Sequence, residues 1–508
     1  MSETSIPALL SHLPASDATV VKINPSTGKK LFDLPQNSSA QVAEAAAKLR
    51  EAQVEWAEWS PRDRANVLLA LQDQLIANQD KMLDILQLET GKARGHAYEE
   101  FAGAVGASRY YGKVSPRFLA RRRTKAGIPF VTKSWVEHPP IGLVGIITPW
   151  NYPVALTMLD VLPALAAGNA VLQKADNTTP LSVLFCRHLA IEAGLPAEVW
   201  QIVVGDGAEV GNAVTDAADY VAFTGSTATG RRVAERASSR LIGYSLELGG
   251  KNPMIVLPGA NLRRAAKIAI GGAFSSAGQL CVSIERVYVQ RDELANFEVA
   301  LKAATEALKV GKAGDFTMDM GTLTGSAQLE RVSGFVEDAL AKGAKLVAGG
   351  KQLAGEGPYF YAPTVITDIT DTMKLDRTEV FGPIIQLYPY DDVDEAIELA
   401  NDTEFGLNAS IVGNEREALR LASRLQAGSV NINDGFRASF ASMASPMGGM
   451  KHSGKGRRNG EGGLLRFTET RTIGTAASWF KLPSSGSEYA KLAPLMNLLN
   501  KILKRLPN

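Results

Sequence analysis

Only two cysteines occur among the 508 residues, Cys186 and Cys281, and their settings differ. Cys186 lies in the apolar stretch 181–190 and reads as a buried small hydrophobe. Cys281 closes Gly278-Gln279-Leu280-Cys281 after a run of mostly small residues, 265–277, predicted to be helical, so a close-packed turn can present a thiolate to backbone N–H groups. A sulfur held in that way is a nucleophile toward carbonyl carbon. Glu247, 34 residues earlier, ends an apolar run and precedes Gly249-Gly250, which puts a carboxylate at the carboxyl end of a strand, where open sheets receive ligands. Burial there raises a carboxyl pKa toward neutrality and makes a general base, although the local residues fit a solvated surface carboxylate equally well. Asn151, in Thr148-Pro149-Trp150-Asn151-Tyr152-Pro153, can offer an amide donor to a developing oxyanion, or be part of a simple aromatic turn. Gly225-Ser226-Thr227-Ala228-Thr229-Gly230 follows the apolar run 220–223 and opens a helix, a place that attracts phosphate, but without the Gly-x-Gly-x-x-Gly spacing of a dinucleotide fingerprint. The five histidines are scattered, and no metal site is expected.

The elements that must position these groups are read from hydrophobic period. From 39 to 92 apolar residues recur at three and four, as in Val42, Ala46, Leu49 and Val67, Leu68, Leu71, Leu75, which predicts successive amphipathic helices. A basic loop at 121–125 leads to 131–137, whose partial alternation predicts a strand outside the main sheet. Between 141 and 248 short apolar runs at 143–147, 170–172, 200–204, 220–223 and 245–248 alternate with helical segments, the signature of a Rossmann-like parallel sheet. A second α/β block runs to 433, with strands predicted at 287–289, 384–388, 410–412 and 430–432. The glycine-rich segment 447–463 reads as a loop and 464–473 as a strand. Near the C-terminus Leu492, Leu495, Met496, Leu499, Ile502, Leu503 and Leu506 share one helical face, with Lys491, Lys501, Lys504 and Arg505 largely away from it. Apolar stripes are as a rule core faces, so packing on the same or a neighbouring subunit is expected, with a membrane-surface helix as the alternative.

Composition narrows the classes. A chain of this length with 45% hydrophobic residues favours two or three domains. With 54 Lys and Arg against 53 Asp and Glu, no global field favours nucleic acid, an anionic membrane or a polyanionic substrate. No basic-then-apolar start and no apolar run of roughly 18 to 20 residues is present, and two cysteines suit a reducing compartment, so a cytoplasmic protein is expected.

Taken together, Pro149-Trp150-Asn151, Phe223-Thr224-Gly225-Ser226-Thr227, Glu247-Leu248-Gly249-Gly250-Lys251, Gly278-Gln279-Leu280-Cys281 and Glu379-Val380-Phe381-Gly382-Pro383 resemble the aldehyde dehydrogenase superfamily, in its order, from about Lys22 to Ile473. The resemblance implies an α/β fold with a Rossmann-like cofactor domain (1–123 and 141–252), an α/β catalytic domain (253–447), a small β oligomerisation arm (124–140 and 467–480) and, beyond it, the amphipathic helix at 485–508. It implies that Cys281 is the nucleophile, Asn151 with the Cys281 N–H the oxyanion hole, and Glu247 the base that hydrolyses a thioester. Cofactor contacts carry over to Trp150, Lys174, Ser226, Leu248, Glu379 and Phe381, beside Gly225 and Gly230 of the phosphate turn. Three residues after Lys174, where NAD-preferring relatives often carry glutamate, stands Asn177, which implies that NADP is accepted and favoured over NAD.

Two departures from the family pattern carry further expectations. A lysine and a glutamate that in many relatives connect with the base are matched by Asp160 and Arg458, a pair with both signs reversed. Several segments are most similar to bacterial succinate-semialdehyde dehydrogenases, yet the two arginines that grip the substrate carboxylate there are matched by Leu159 and Ser275. Succinate semialdehyde is therefore the expected substrate, with an aromatic or aliphatic aldehyde as the alternative. The arm implies a homodimer or homotetramer. A CoA-acylating enzyme and a non-catalytic scaffold are the competing readings.

Overall fold

The computed structural model describes residues 5–128, 131–481 and 483–505. Contacts divide the chain into two units, Met1–Leu119 with Pro140–Glu469, and Ala120–Pro139 with Thr470–Asn508.

The larger unit is built on two sheets. In the first, β1 (Leu143–Ile147), β2 (Ala170–Lys174), β3 (Trp200–Val203), β4 (Tyr220–Thr224) and β5 (Gly243–Glu247) are parallel in the order β5-β4-β1-β2-β3. Helices cover both faces of such a sheet, so its inner strands are mostly apolar instead of alternating, and all five residues of β1, β2 and β4 are buried, Gln173 and Lys174 included. The short strand Gly454–Lys455 closes the β5 edge antiparallel. The second sheet holds β6 (Asn252–Val256), β7 (Ile284–Gln290), β8 (Lys345–Ala348), β9 (Thr364–Thr367), β10 (Ile384–Tyr390), β11 (Asn408–Val412) and β12 (Ser429–Ile432), in the order β8-β9-β10-β7-β6-β11-β12. Only β8 runs antiparallel to its neighbour. Four residues separate the end of β5 from the start of β6, so Glu247 lies where the chain crosses from one sheet to the other.

Several expectations are corrected. Residues 464–473 are not one strand: a helix covers Gly460–Leu465 and a strand Arg471–Ala476. Leu464 and Phe467, both fully buried, are three apart, a helical spacing that a short apolar run conceals. The stretch 265–277 is a helix only to Ala273 and then a tight turn, Ser275–Gly278. The segment 447–463, expected to be a loop, contains the short strands Met450–Lys451 and Gly454–Lys455.

Two helices matter for the site. Helix α1 (Arg94–Phe118) lies against α2 (Pro153–Ala166), which is buried along its whole length. The N-terminus of α2 has no side-chain cap of its own; the N–H groups of Val154 and Ala155 donate instead to Glu100 Oε1 of α1, at 2.6 and 3.3 Å.

In the smaller unit Arg122–Thr124 and Arg471–Ala476 flank Thr132–Glu137 in a three-stranded antiparallel sheet, so a strand occupies part of the predicted basic loop. A helix, Gly486–Leu503, begins on a capping box formed by Ser485 and Glu488. None of its side chains is fully buried; Leu492, Met496, Leu499 and Leu503 of the expected stripe are half-buried. Leu506 lies outside the described residues. Among the described residues no helix is long and apolar enough to cross a membrane.

Candidate active site

Cys281 is positioned by a turn that only small residues allow. Ser276, Ala277 and Gly278 take positive φ in succession, at 50°, 56° and 71°. A Cβ on Gly278 would lie 2.1 Å from the Gly382 carbonyl oxygen, so glycine there admits the Glu379–Pro383 segment to the cysteine turn. Gln279 pins the turn from inside: its side-chain amide donates to the Ser276 carbonyl at 2.9 Å and its Oε1 accepts the Thr324 N–H at 3.0 Å. Asn252 Nδ2 donates to the carbonyls of Cys281 and Ser283, both at 2.7 Å.

Asn151 follows β1 and precedes α2. Its Nδ2 donates to the Gln279 carbonyl at 2.9 Å, which uses one amide hydrogen and leaves the other for a ligand. Its own carbonyl accepts Lys92 Nζ at 2.8 Å. Lys92 is buried, paired with Glu100 at 2.5 Å and set over the Tyr152 ring at 4.0 Å. One buried ion pair therefore orients both the asparagine backbone and the start of α2. Neither Lys92 nor Glu100 was singled out in the sequence, because nothing local marks a lysine as buried.

Glu247 is 4% exposed, and its Oε1 has no hydrogen-bond partner. Burial pushes its pKa up to about 7, against the pull of Arg458 and Arg466. The same burial, with Glu247 and Glu379 nearby, pushes the Cys281 thiol up to about 12. Burial and the two neighbouring carboxylates thus favour the protonated sulfur, while the turn alone favours the thiolate. Cys281, Glu247 and Asn151 line one pocket of about 320 Å³, with Trp150, Leu156, Gly225, Ser226, Leu248, Arg331, Glu379 and Phe381 also on its wall.

The Glu379–Phe381 side of the pocket is held from beneath. Lys251 and Glu285, both buried, pair at 2.7 Å; Lys251 also donates to the Thr378 carbonyl, and Glu285 accepts the N–H groups of Val380 and Phe381. Phe381 keeps a positive φ of 58° under this restraint and meets Trp150 edge-on, with ring centroids 5.6 Å apart. Gly250 N–H donates to Glu379 Oε1 at 2.7 Å.

A second cleft of about 400 Å³ shares Trp150, Thr224, Gly225 and Ser226 with the first and adds Lys174, Asp176, Asp206, Thr229 and Arg232. It lies at the carboxyl ends of β1, β2 and β4 and at the N-terminus of α3 (Thr227–Ser239), where Ser226 is the N-cap. Two joined clefts, with a helix N-terminus and two cations in one and a cysteine in the other, fit a dinucleotide laid from phosphate and ribose toward the thiol. Gly230 does not line either: it packs on Leu248, whose Cδ2 would come within 2.5 Å of a Cβ. Asn177 is also elsewhere, bridging Gln36 Oε1 at 2.9 Å and the Gly205 N–H at 2.8 Å. The residues that face the cleft beside Lys174 are Asp176 and Asp206, with Arg232 as a cation that the sequence did not point to.

The reversed pair is present. Arg458 Nε and Nη2 reach Asp160 at 2.8 and 2.5 Å, Arg466 reaches it at 2.5 Å, and Arg458 also donates to Thr224 Oγ1. Two arginines against one aspartate hold the Asp160 carboxyl below its usual range despite complete burial. Ser275, at the other altered position, is not without a cation: Arg437 Nη2 donates to its Oγ at 2.9 Å, while Glu99 pairs with Arg437 at 2.6 Å. Leu159 is buried.

A Rossmann-like sheet whose carboxyl edge meets a cysteine, a buried glutamate and an asparagine amide defines an aldehyde dehydrogenase-type site. The chain belongs to the aldehyde dehydrogenase family, whose pattern matches residues 12–473. It is 49% identical over 451 residues, 89% of this chain and 87% of the other, to a Mycobacterium ulcerans protein named as a putative succinate-semialdehyde dehydrogenase (NADP+). A Mycolicibacterium smegmatis protein with a name of the same kind is 45% identical, over 95% of this chain and 93% of its own. Among solved structures, an Escherichia coli NADP-dependent enzyme superposes with a TM-score of 0.86 at 32% identity, over 91% of this chain and 95% of its own. A Bacillus cereus aldehyde dehydrogenase in complex with NAD+ superposes with a TM-score of 0.88 at 31% identity, over 94% and 99%.

Removing one member of a buried ion cluster strands the others. Asp160→Leu leaves two buried arginines facing each other and is expected to lower stability by about 3–5 kcal/mol; Arg458→Met, which leaves Asp160 paired with Arg466, costs less. Chemical denaturation of the two variants checks the order, and equal stability for Asp160→Leu and the parent would contradict the account.

Proposed function

We propose that this protein oxidises an aldehyde to a carboxylic acid through a thioester on Cys281, using NADP in preference to NAD. The observation that carries the reading is a buried carboxylate, unpartnered at Oε1, in the same pocket as a raised thiol and a free amide hydrogen. A thiol near 12 needs a proton acceptor, and Glu247 near 7 is charged often enough at neutral pH to serve. The sulfur then adds to the carbonyl, and the alkoxide is met by Asn151 Nδ2 and the Cys281 N–H. NADP or NAD, when bound, supplies the hydride acceptor, held by Trp150, Lys174, Ser226, Leu248, Glu379 and Phe381. Glu247 releases that first proton to solvent and then takes one from water as the water adds to the thioester; the C–S bond breaks, the acid departs, and Glu247 returns the proton to sulfur.

Succinate semialdehyde is the proposed substrate. The names of relatives at 45–49% identity support it, and so does Arg437, which brings a cation to Ser275 from a distant part of the chain. Glu99 already neutralises that cation, which favours the second reading, an aromatic or aliphatic aldehyde. NADP preference rests on Lys174 and Arg232 in the cleft and on the NADP(+) in the names of relatives at 45–49% identity, with Asp176 and Asp206 opposing it. Assembly as a homodimer or homotetramer through the three-stranded sheet would cover its two open edges, and two free cysteines fit a cytoplasmic setting.

Three measurements test these assignments. Because Glu247 works only when ionised, kcat/KM should rise with pH through about 7; Glu247→Gln should lower it by about 10²–10⁴-fold and abolish that limb, and an unchanged profile would remove Glu247 from the mechanism. Steady-state kinetics should give a higher kcat/KM with NADP than with NAD, and Lys174→Ala should narrow the gap; a strong NAD preference refutes the cofactor assignment. In a rate panel succinate semialdehyde should exceed benzaldehyde, with Arg437→Leu raising KM for the charged substrate alone. The reverse ranking supports the apolar aldehyde.

A further inference from the structure

The smaller unit concentrates charge that the whole-chain total conceals. Its 59 residues carry eleven Lys and Arg against two Asp and Glu, a net +9, which leaves 43 against 51 on the remainder. All eleven cations are exposed. Glu137 pairs with Arg121 and Arg471, and Glu488 is used by the helix cap, so among the described residues Arg122, Arg123, Lys125 and the lysines of the C-terminal segment have no acidic partner.

Apolar side chains are exposed on the same unit. In α4 (Gly486–Leu503) Leu495, Leu498 and Ile502, spaced three and four apart, are 51–62% exposed, and they adjoin the half-buried row Leu492, Met496, Leu499 and Leu503. Asn497, Asn500, Lys501 and Lys504 occupy the opposite arc, and Lys491, four residues before Leu495, ends the apolar row. Trp479, just before the helix, is 71% exposed. A helix with aliphatic side chains on one arc, lysines and asparagines on the other, and a neighbouring exposed indole is built to lie in the plane of a lipid surface, and it is not long and apolar enough to cross one.

We propose that this unit docks the enzyme on an anionic membrane surface, with α4 lying along the headgroup boundary and the surrounding arginines and lysines facing acidic lipid. Charge complementarity selects the partner: the cations are dispersed and exposed, and all but Arg121 and Arg471 are without an acidic partner among the described residues, as suits a diffuse field of headgroups; each one near such a surface raises partitioning roughly fivefold. The proposal is independent of the catalytic assignment, since no residue of the active site belongs to this unit.

The test is co-sedimentation of the full chain with vesicles of phosphatidylcholine mixed with phosphatidylglycerol, and with vesicles of phosphatidylcholine alone. Binding is expected to the first and not the second, and to fall steeply as salt is raised. The triple variant Leu495→Glu, Leu498→Glu, Ile502→Glu should lose vesicle binding while keeping the parent's oligomeric state and rate of aldehyde oxidation, or, should no aldehyde be turned over, its thermal transition. No binding to either vesicle, equal binding to both, or a triple variant that binds like the parent overturns the proposal. So does a triple variant that changes oligomeric state in the absence of lipid, which would make α4 a contact between copies of the chain.

Discussion

Lys251 and Glu285 leave water together, and what they hold is the geometry of the pocket. The pair donates to Thr378 and accepts from Val380 and Phe381, so a segment with one left-handed residue is fixed against the cysteine turn. Breaking such a pair from one side costs about 3–5 kcal/mol, because the remaining charge has no solvent to return to. Around it every approach is close: a Cβ on Gly249 would meet Glu379 Oε2 at 2.5 Å, and one on Gly250 would meet the Cys281 carbonyl at 2.5 Å. The glycines that follow Glu247 are thus a steric condition for bringing base, nucleophile and Glu379 to one cavity.

Burial is used in opposite senses at neighbouring positions. Asp160 is fully buried yet stays charged, since Arg458 and Arg466 meet both its oxygens. Glu247 is buried without a direct partner for Oε1, so its proton is held to about pH 7. The difference between a structural carboxylate and a basic one lies in hydrogen bonds and cations supplied by other segments, not in the residue type. Lys92 and Glu100 show the same economy of means, one ion pair serving both the Asn151 backbone carbonyl and the N–H groups at the start of α2 that have no other cap.

Charge distribution follows a comparable logic at larger scale. A net charge of +1 describes a neutral chain only while its residues are counted together. Once the chain is divided where its contacts divide it, the strands and helix of the smaller unit carry a strongly positive surface, interleaved with exposed aliphatic and aromatic side chains.

Much of the larger unit was legible in order of residues. Buried parallel strands are short and mostly apolar, so the cores of β1 to β5 stand out in the sequence, and short motifs with fixed chemistry mark Asn151, Glu247 and Cys281. The pairing of Asp160 with Arg458 was likewise visible as a reversal of sign at two positions. What the order of residues left open was decided by contacts between segments far apart in it. Asn177 turned to Gln36 and Gly205, Arg232 and Arg437 came to sites from which no local pattern excluded or suggested them, and the cysteine's proton affinity was set by carboxylates 34 and 98 residues away. Local pattern records which face a residue prefers; desolvation and Coulomb interaction depend on what else arrives there, and that is a property of the folded chain alone.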